Sequence, residues 1–215
     1  MDPRVTRRMF GGPVLDLRSH QPDRRTPVAD AEFLAVDFET TGIDPRRHQI
    51  VSMGWLPIVA GGRINLSQAR HHVIAGVDVG QSAVLHGITD THTAQGTPLA
   101  TALEELRAAL EGRLMLAHFA ALETGFMDAA AQRVWGCKVR LHVVDTFQLE
   151  RRHMERMGTY PRGEDLRLPR VRARYHLPHY ASHNALTDAQ ACAELFLAQL
   201  HATRAVVVGD ILATS

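Results

Sequence analysis

The 215-residue chain is short of several features that would announce a class. It has two cysteines, Cys137 and Cys192. Neither belongs to a C-x-x-C pair or to a Cys/His spacing suited to zinc, which excludes a disulfide scaffold and a structural zinc site. Both are expected to be reduced thiols of a cytoplasmic protein. No apolar run of about 18 residues or more occurs, so no transmembrane helix is expected. Arg7-Arg8 is not followed by an apolar stretch, and a secretory or twin-arginine signal is not expected. Charge of one sign is also missing: 24 Lys and Arg against 23 Asp and Glu leave a formal net charge of +1. That excludes a strongly basic protein that coats nucleic acid. It leaves room for an enzyme whose carboxylates hold cations and so offset its arginines. Internal repeats and low-complexity segments are lacking too.

What is present is the balance of one well-cored domain, with 45% hydrophobic and 22% charged residues. Residues 1–31, rich in Arg, Pro and Asp, read as an extended N-terminal arm; 32–203 read as the domain and 204–215 as a short C-terminal tail. Phe33 to Val36 is an apolar run suited to a buried strand. Gln49 to Val59 is a second strand, and Gly61-Gly62 signals a hairpin into a third, Arg63 to Ile74. Leu99, Leu103, Leu106 and Leu110 recur at helical spacing behind Pro98. Leu114 to Ala117 reads as a strand, Ala121 to Val134 as a helix, and Val139 to Val144 as a fifth strand. Asp145 starts another helix. Glu164 to Tyr175 is expected to be helical, with Pro169 working against a clean helix. The last helix runs from Ala185 to His201, with Ala189, Ala193, Phe196 and Leu200 as its apolar stripe. Hairpin strands followed by strand–helix alternation predict an α/β fold with a mixed sheet.

Three stretches carry chemistry. In Asp37-Phe38-Glu39-Thr40-Thr41-Gly42 the first and third residues of an extended chain point to one side, so Asp37 and Glu39 present two carboxylates together where the strand ends. Such a pair repels unless cations lie between, and hard ions such as Mg²⁺ or Mn²⁺ suit oxygen ligands. A bare D-x-E is more often a solvated strand end; the Thr-Thr-Gly that follows argues otherwise. In His183-Asn184-Ala185-Leu186-Thr187-Asp188 the two outer residues would point about 140° apart within one helix. They serve one site only if His183 lies on the entering loop and Asp188 inside the helix. Asp188 also borders the buried stripe, where an unpaired carboxylate is costly and a metal would compensate it. The plainer alternatives are a helix-start charge for Asp188 and a surface histidine for His183. In His118-Phe119-Ala120-Ala121-Leu122-Glu123, Glu123 shares a helix face with Phe126 and Met127, which hold it inward.

On these residues the chain resembles the DnaQ-like (DEDDh) 3′→5′ exonucleases, the family of the proofreading epsilon subunit of bacterial DNA polymerase III. The resemblance spans about residues 32–200. The family's D-x-E-T-T-G is complete from Asp37 to Gly42 and its H-x-A-x-x-D from His183 to Asp188. Its H-N-A-x-F-D reads here His118 to Glu123, with Phe119, Leu122 and Glu123 replacing Asn, Phe and Asp. Val84 to Thr89 is similar to the family's H-G-I stretch and Val144 to Phe147 to its D-T-L stretch. For Asp145 the preferred reading is an N-cap, with Gln148 at capping-box spacing. The resemblance implies a ribonuclease H-like fold, a five-stranded mixed sheet flanked by helices. It implies two divalent cations, Mg²⁺ or Mn²⁺, held by Asp37, Glu39, Glu123 and Asp188, with His183 as general base. Thr40, Thr41 and His86 are expected at the terminal nucleotide. Arg46, Arg47, Arg151 and Arg152 are candidates for phosphate contacts, although such arginines more often form a solvated face.

The expected substrate is nucleic acid, single-stranded, with a free 3′ end. DNA is the first reading and RNA the second. A non-catalytic module that binds nucleic acid or a polymerase, and a hydrolase of free nucleotides, remain as alternatives. Because the chain ends soon after the last helix, a stand-alone or loosely associated enzyme is expected, with a polymerase as the candidate partner.

Overall fold

The structure, a computed structural model, describes residues 5–8, 11–80, 88 and 90–213. His86 and most of the H-G-I stretch lie outside the described residues. The first two strands, β1 (Val5–Arg8) and β2 (Gly11–Asp16), form an antiparallel pair. The central sheet follows with β3 (Phe33–Thr40), β4 (Ile50–Val59), β5 (Arg63–Ile64) and β6 (Arg70–Val73). Then come α1 (Asp90–Ala94), α2 (Leu99–Ala109), β7 (Leu114–Ala117) and α3 (Ala121–Trp135). The chain continues through β8 (Lys138–Arg140), β9 (Val143–Asp145), α4 (Thr146–Arg156), α5 (Leu168–Arg174) and α6 (Ala185–Thr203). Among the described residues no helix is long and apolar enough to cross a membrane.

The central sheet runs β5-β4-β3-β7-β9, with β6 also paired to β4. β3 is antiparallel to β4 and parallel to β7, and β7 is parallel to β9. The sheet is therefore mixed, with helices on both faces, as the sequence pattern predicts. Alternation along β3 divides its side chains between two cores. Leu34, Val36 and Phe38 join Met53, Trp55, Leu103, Leu106 and Phe126 on the side of α2 and α3. Phe33 and Ala35 join Leu56, Ile58, Leu149, Leu195 and Phe196 on the side of α4 and α6. Each such Leu or Phe contributes roughly 1.5–3 kcal/mol on burial. By the same alternation the odd-numbered Asp37 and Glu39 belong to the α6 side.

Three expectations are corrected in detail. The strand expected from Arg63 to Ile74 is two strands, because the Asn65 side chain accepts from Ser67 N and turns the chain through a 3₁₀ turn, Leu66–Gln68. The strand expected from Val139 to Val144 is also two. Lys138–Arg140 pairs in parallel with β2, while Val143–Asp145 pairs with β7. The tract from Glu164 to Tyr175 divides into a 3₁₀ turn, Gly163–Leu166, and the short α5, with Pro169 in its first turn. The N-terminal segment is extended, yet Leu15 and Leu17 are buried in the α2–α3 core.

Candidate metal and nuclease centre

Because β3, β7 and β9 are parallel, their C-terminal ends share one edge of the sheet. β3 delivers Asp37 and Glu39 there, and β7 leads into α3 and Glu123. α6 brings Asp188 to the same edge, and a glycine lets it come close. Gly54 pairs with Asp37 across β3 and β4. A Cβ at Gly54 would collide with the backbone of Ala185 and Leu186 at the start of α6. The signal was present in the sequence as a lone glycine inside a strand, which often marks close backbone approach.

Asn184 caps α6, its side chain accepting from Thr187 N. His183 therefore lies on the entering loop and Asp188 in the first turn, the arrangement that lets both serve one site. Asp188 Oδ2 accepts from His183 N at 2.8 Å and Asn184 N at 3.2 Å, while Oδ1 accepts from the Tyr180 hydroxyl at 2.8 Å. Arg172 lies over the Tyr180 ring, 5.0 Å from its centroid, and is itself tied to Glu194 at 2.8 Å. Tyr180 is thus a neighbour of the site that spacing did not reveal. His183 is exposed and sits at φ 71°, a left-handed conformation that non-glycine residues enter at a cost.

Asp37, Glu39 and Asp188 each place a carboxylate oxygen within 4.8 Å of the other two. Burial first, then the charges of Glu123, Asp188 and Glu39, hold the Asp37 carboxyl well above the usual carboxylate range. Glu39 is pushed up to about 7 by burial and by Asp188, with His183 opposing. Glu123 is 2% exposed and its Oε2 is buried with no hydrogen-bond partner among the described residues. Its acidity too is weakened, chiefly by burial and further by Asp145, against its own backbone N–H. Three converging carboxylates, with the charge of a fourth, Glu123, felt by Asp37, are a donor set incomplete without positive charge. All-oxygen donors fit hard divalent cations such as Mg²⁺ or Mn²⁺.

The remaining candidates have local roles. Thr40 Oγ1 donates to Gly42 O at 2.8 Å and Thr41 Oγ1 accepts from Gln49 N at 3.0 Å, so both hydroxyls shape the turn after β3. A Cβ at Gly42 would strike the His48 ring, which packs against the turn and would have to shift. Asp145 caps α4 through Phe147 N at 2.9 Å, in line with its reading as an N-cap. His118 is structural in its contacts: its Nε2 meets the Leu166 carbonyl and its Nδ1 the Thr146 hydroxyl, each at 2.8 Å.

Comparison with known proteins agrees with this geometry. The chain is 26% identical over 174 residues to the PolC-type DNA polymerase III of Listeria innocua, covering 80% of this chain and 12% of that protein. The Thermotoga maritima counterpart is 27% identical over 169 residues, covering 78% and 12%. The chain thus spans about an eighth of the length of these relatives. Among solved structures, exonuclease I of E. coli with a dT13 oligonucleotide superposes with a TM-score of 0.64 at 18% identity, covering 81% of this chain and 41% of that one. A 3′-exonuclease recognising a histone mRNA stem-loop gives 0.66 at 11% identity, covering 87% and 73%. At these identities the likeness is one of fold. The family model RNase_T, described as Exonuclease, matches residues 34–196, and the chain belongs to that exonuclease family.

Proposed function

We propose that this protein is a metal-dependent 3′→5′ exonuclease that hydrolyses phosphodiester bonds from the 3′ end of single-stranded DNA. The observation that carries the reading is the convergence of Asp37, Glu39 and Asp188 within 4.8 Å, supported by Glu123, whose buried oxygen is orphaned and whose charge acts on Asp37. These four residues would hold two divalent cations. Bound there, such cations supply Lewis acidity to the attacking water and to the leaving 3′ oxygen. His183, exposed on its strained loop beside Glu39, accepts the proton of the water. The tethering of its backbone N–H to Asp188 fixes where the imidazole approaches. Thr40 and Thr41 frame the terminal nucleotide through the turn they close, with His86 as a further contact.

DNA is favoured because the relatives matching most of this chain are DNA polymerases. They also make a polymerase the candidate partner. An RNA substrate is the second reading, favoured by a fold neighbour that recognises an mRNA 3′ end. The deciding experiment incubates 5′-labelled DNA and RNA of one sequence with Mg²⁺, Mn²⁺ or EDTA, beside the Asp37→Ala variant. A cation-dependent ladder shortening from the 3′ end, faster on DNA and absent in the variant, is expected. A faster RNA ladder would exchange the two readings, and no ladder on either polymer would overturn both.

A further inference from the structure

Phe119 carries two costs that folding does not explain. It is held at φ 69°, a region that a bulky residue enters only at a price in backbone energy. Its side chain is nonetheless 52% exposed, so little apolar burial offsets that strain. Asparagine, which the resembling motif carries at this position, tolerates the same backbone far better. The residue leaves β7 at the sheet edge where Asp37 and Glu39 leave β3.

The surroundings hold Phe119 in place. Asp145 Oδ1 accepts from Phe119 N at 3.0 Å and from Phe147 N at 2.9 Å, so one buried oxygen ties the two aromatic residues together. The other oxygen accepts from Ala120 N at 3.2 Å. The Phe119 and Phe147 rings meet edge-on, with centroids 5.2 Å apart at 66°. Phe147 is braced in turn by the His118 ring, 5.9 Å away at 75°. Exposed Arg151 lies over Phe147, its guanidinium carbon 5.2 Å from the ring centroid. Phe147 is therefore flanked by the His118 and Phe119 rings and by Arg151, whereas Phe119, among the described residues, has a single aromatic neighbour and half its surface in water.

We propose that Phe119 is a stacking platform for an unpaired nucleobase near the 3′ end of the strand, propped by Phe147, with Arg151 beside it for a phosphate. The inference rests on the exonuclease reading for its substrate. An exposed aromatic ring in a cluster that also holds an exposed guanidinium, here Arg151 over the adjoining Phe147, is the kind of arrangement that binds single-stranded nucleic acid without demanding a sequence. An internal paired base, with both faces already stacked, cannot use it, so the platform favours single-stranded or frayed ends.

The test is equilibrium binding of a 5′-labelled single-stranded DNA by fluorescence anisotropy in Ca²⁺, with the strand's length checked afterwards to exclude cleavage. One abasic sugar is moved through the last few nucleotides. The wild type is expected to lose about tenfold in affinity at one abasic position, and Phe119→Ala about tenfold on the complete strand. Combined, the two losses should not add, because both remove the same contact. Phe119→Trp should keep the affinity. Phe119→Asn should lose it while melting no lower than the wild type, since the backbone strain is relieved. Additive losses at every position, an unchanged affinity in Phe119→Ala, or no binding by the wild type would overturn the platform. So would a Phe119→Asn variant that melts well below the wild type yet binds normally, because the ring would then be structural. A wild type that trims strands without the coupling loses the platform and keeps the exonuclease reading. Coupling without trimming does the reverse.

Discussion

Glu123 and Glu150 are each 2% exposed, yet their surroundings are opposite. Glu150 joins three helices and is fully matched: Arg174 Nε donates to Oε1 at 3.1 Å, and the Tyr175 hydroxyl and Gln199 Nε2 donate to Oε2 at 2.9 and 3.2 Å. Glu123 keeps a buried oxygen without a partner among the described residues and adds its charge to that of Asp37. Burial of a carboxylate therefore does not mark a site. Unmatched burial beside like charge does, because nothing in folding alone repays it. One glutamate ties helices together; the other is left with an unmatched oxygen.

The sharpest way to break this contrast is to remove charge from the unmatched end. Asp37→Asn is expected to lower hydrolysis by at least about 10²–10³-fold, measured on a labelled strand. Without cations the same variant should melt no lower than the wild type and up to a few degrees higher, as about 1 kcal/mol corresponds to ~2–4 °C at this chain length. The sign follows from repulsion: neutralising one of several buried like charges relieves the folded state. A variant that melts several degrees lower would mean Asp37 is part of the scaffold. His183→Ala should slow hydrolysis by about 10²-fold with cation affinity nearly unchanged, since the general base proposed for it moves a proton rather than holds a metal. Equal loss of Mn²⁺ affinity by calorimetry would reassign it as a ligand.

The two glutamates can also be compared directly. Glu150→Ala should destabilise by about 2–3 kcal/mol in urea, below the roughly 3–5 of a fully buried pair, because Arg174 is 35% exposed. Hydrolysis per folded molecule should be unchanged. Glu123→Gln should do the opposite, weakening Mn²⁺ binding and hydrolysis while stability holds, and Glu123→Asp should retain activity. Matching profiles for Glu123→Gln and Glu150→Ala would dissolve the distinction.

The parts of the site legible in sequence are those whose geometry is local. Strand alternation alone places Asp37 and Glu39 on one face, and the cap at Asn184 alone reconciles His183 with Asp188. What was not legible depends mostly on residues far apart in the chain. Gly54 matters because α6 crosses β4 there; Tyr180 is only eight residues from Asp188, but the irregular loop between them gives no periodicity from which its hydroxyl's reach could be read. The backbone of Phe119 is likewise held from far along the chain, by Asp145 reaching back to its N–H. The fold divides in the same way. Helices with a clear apolar stripe, α2 and α6, match their sequence pattern closely. Val139 to Val144 reads as one strand, but its halves belong to different sheets, and the partner of the first half is the N-terminal β2. Weak periodicity before residue 31 gave no hint that Leu15 and Leu17 reach the core.

The smallest expected effect probes the brace behind Phe147. Burial pushes the His118 imidazole down to about 4 from 6.5, against the opposing influence of the Leu166 carbonyl and the Glu150 charge. The carbonyl can only accept, so Nε2 carries the proton and Nδ1 accepts from the Thr146 hydroxyl, leaving the ring neutral and fully bonded. A histidine kept neutral by the fold contributes stability that is wholly present above pH 6.5 and lost as pH falls toward 4. Urea unfolding at pH 7 and pH 5 should therefore show a larger acid loss in the wild type than in His118→Gln, which has no proton to take up. Other acid-titrating groups are common to both proteins and cancel in that difference. An equal acid loss in the two would mean that His118 is protonated in the folded protein. The matched end of the molecule, reaching this ring through the charge of Glu150, would then be as unsettled electrostatically as the carboxylate end.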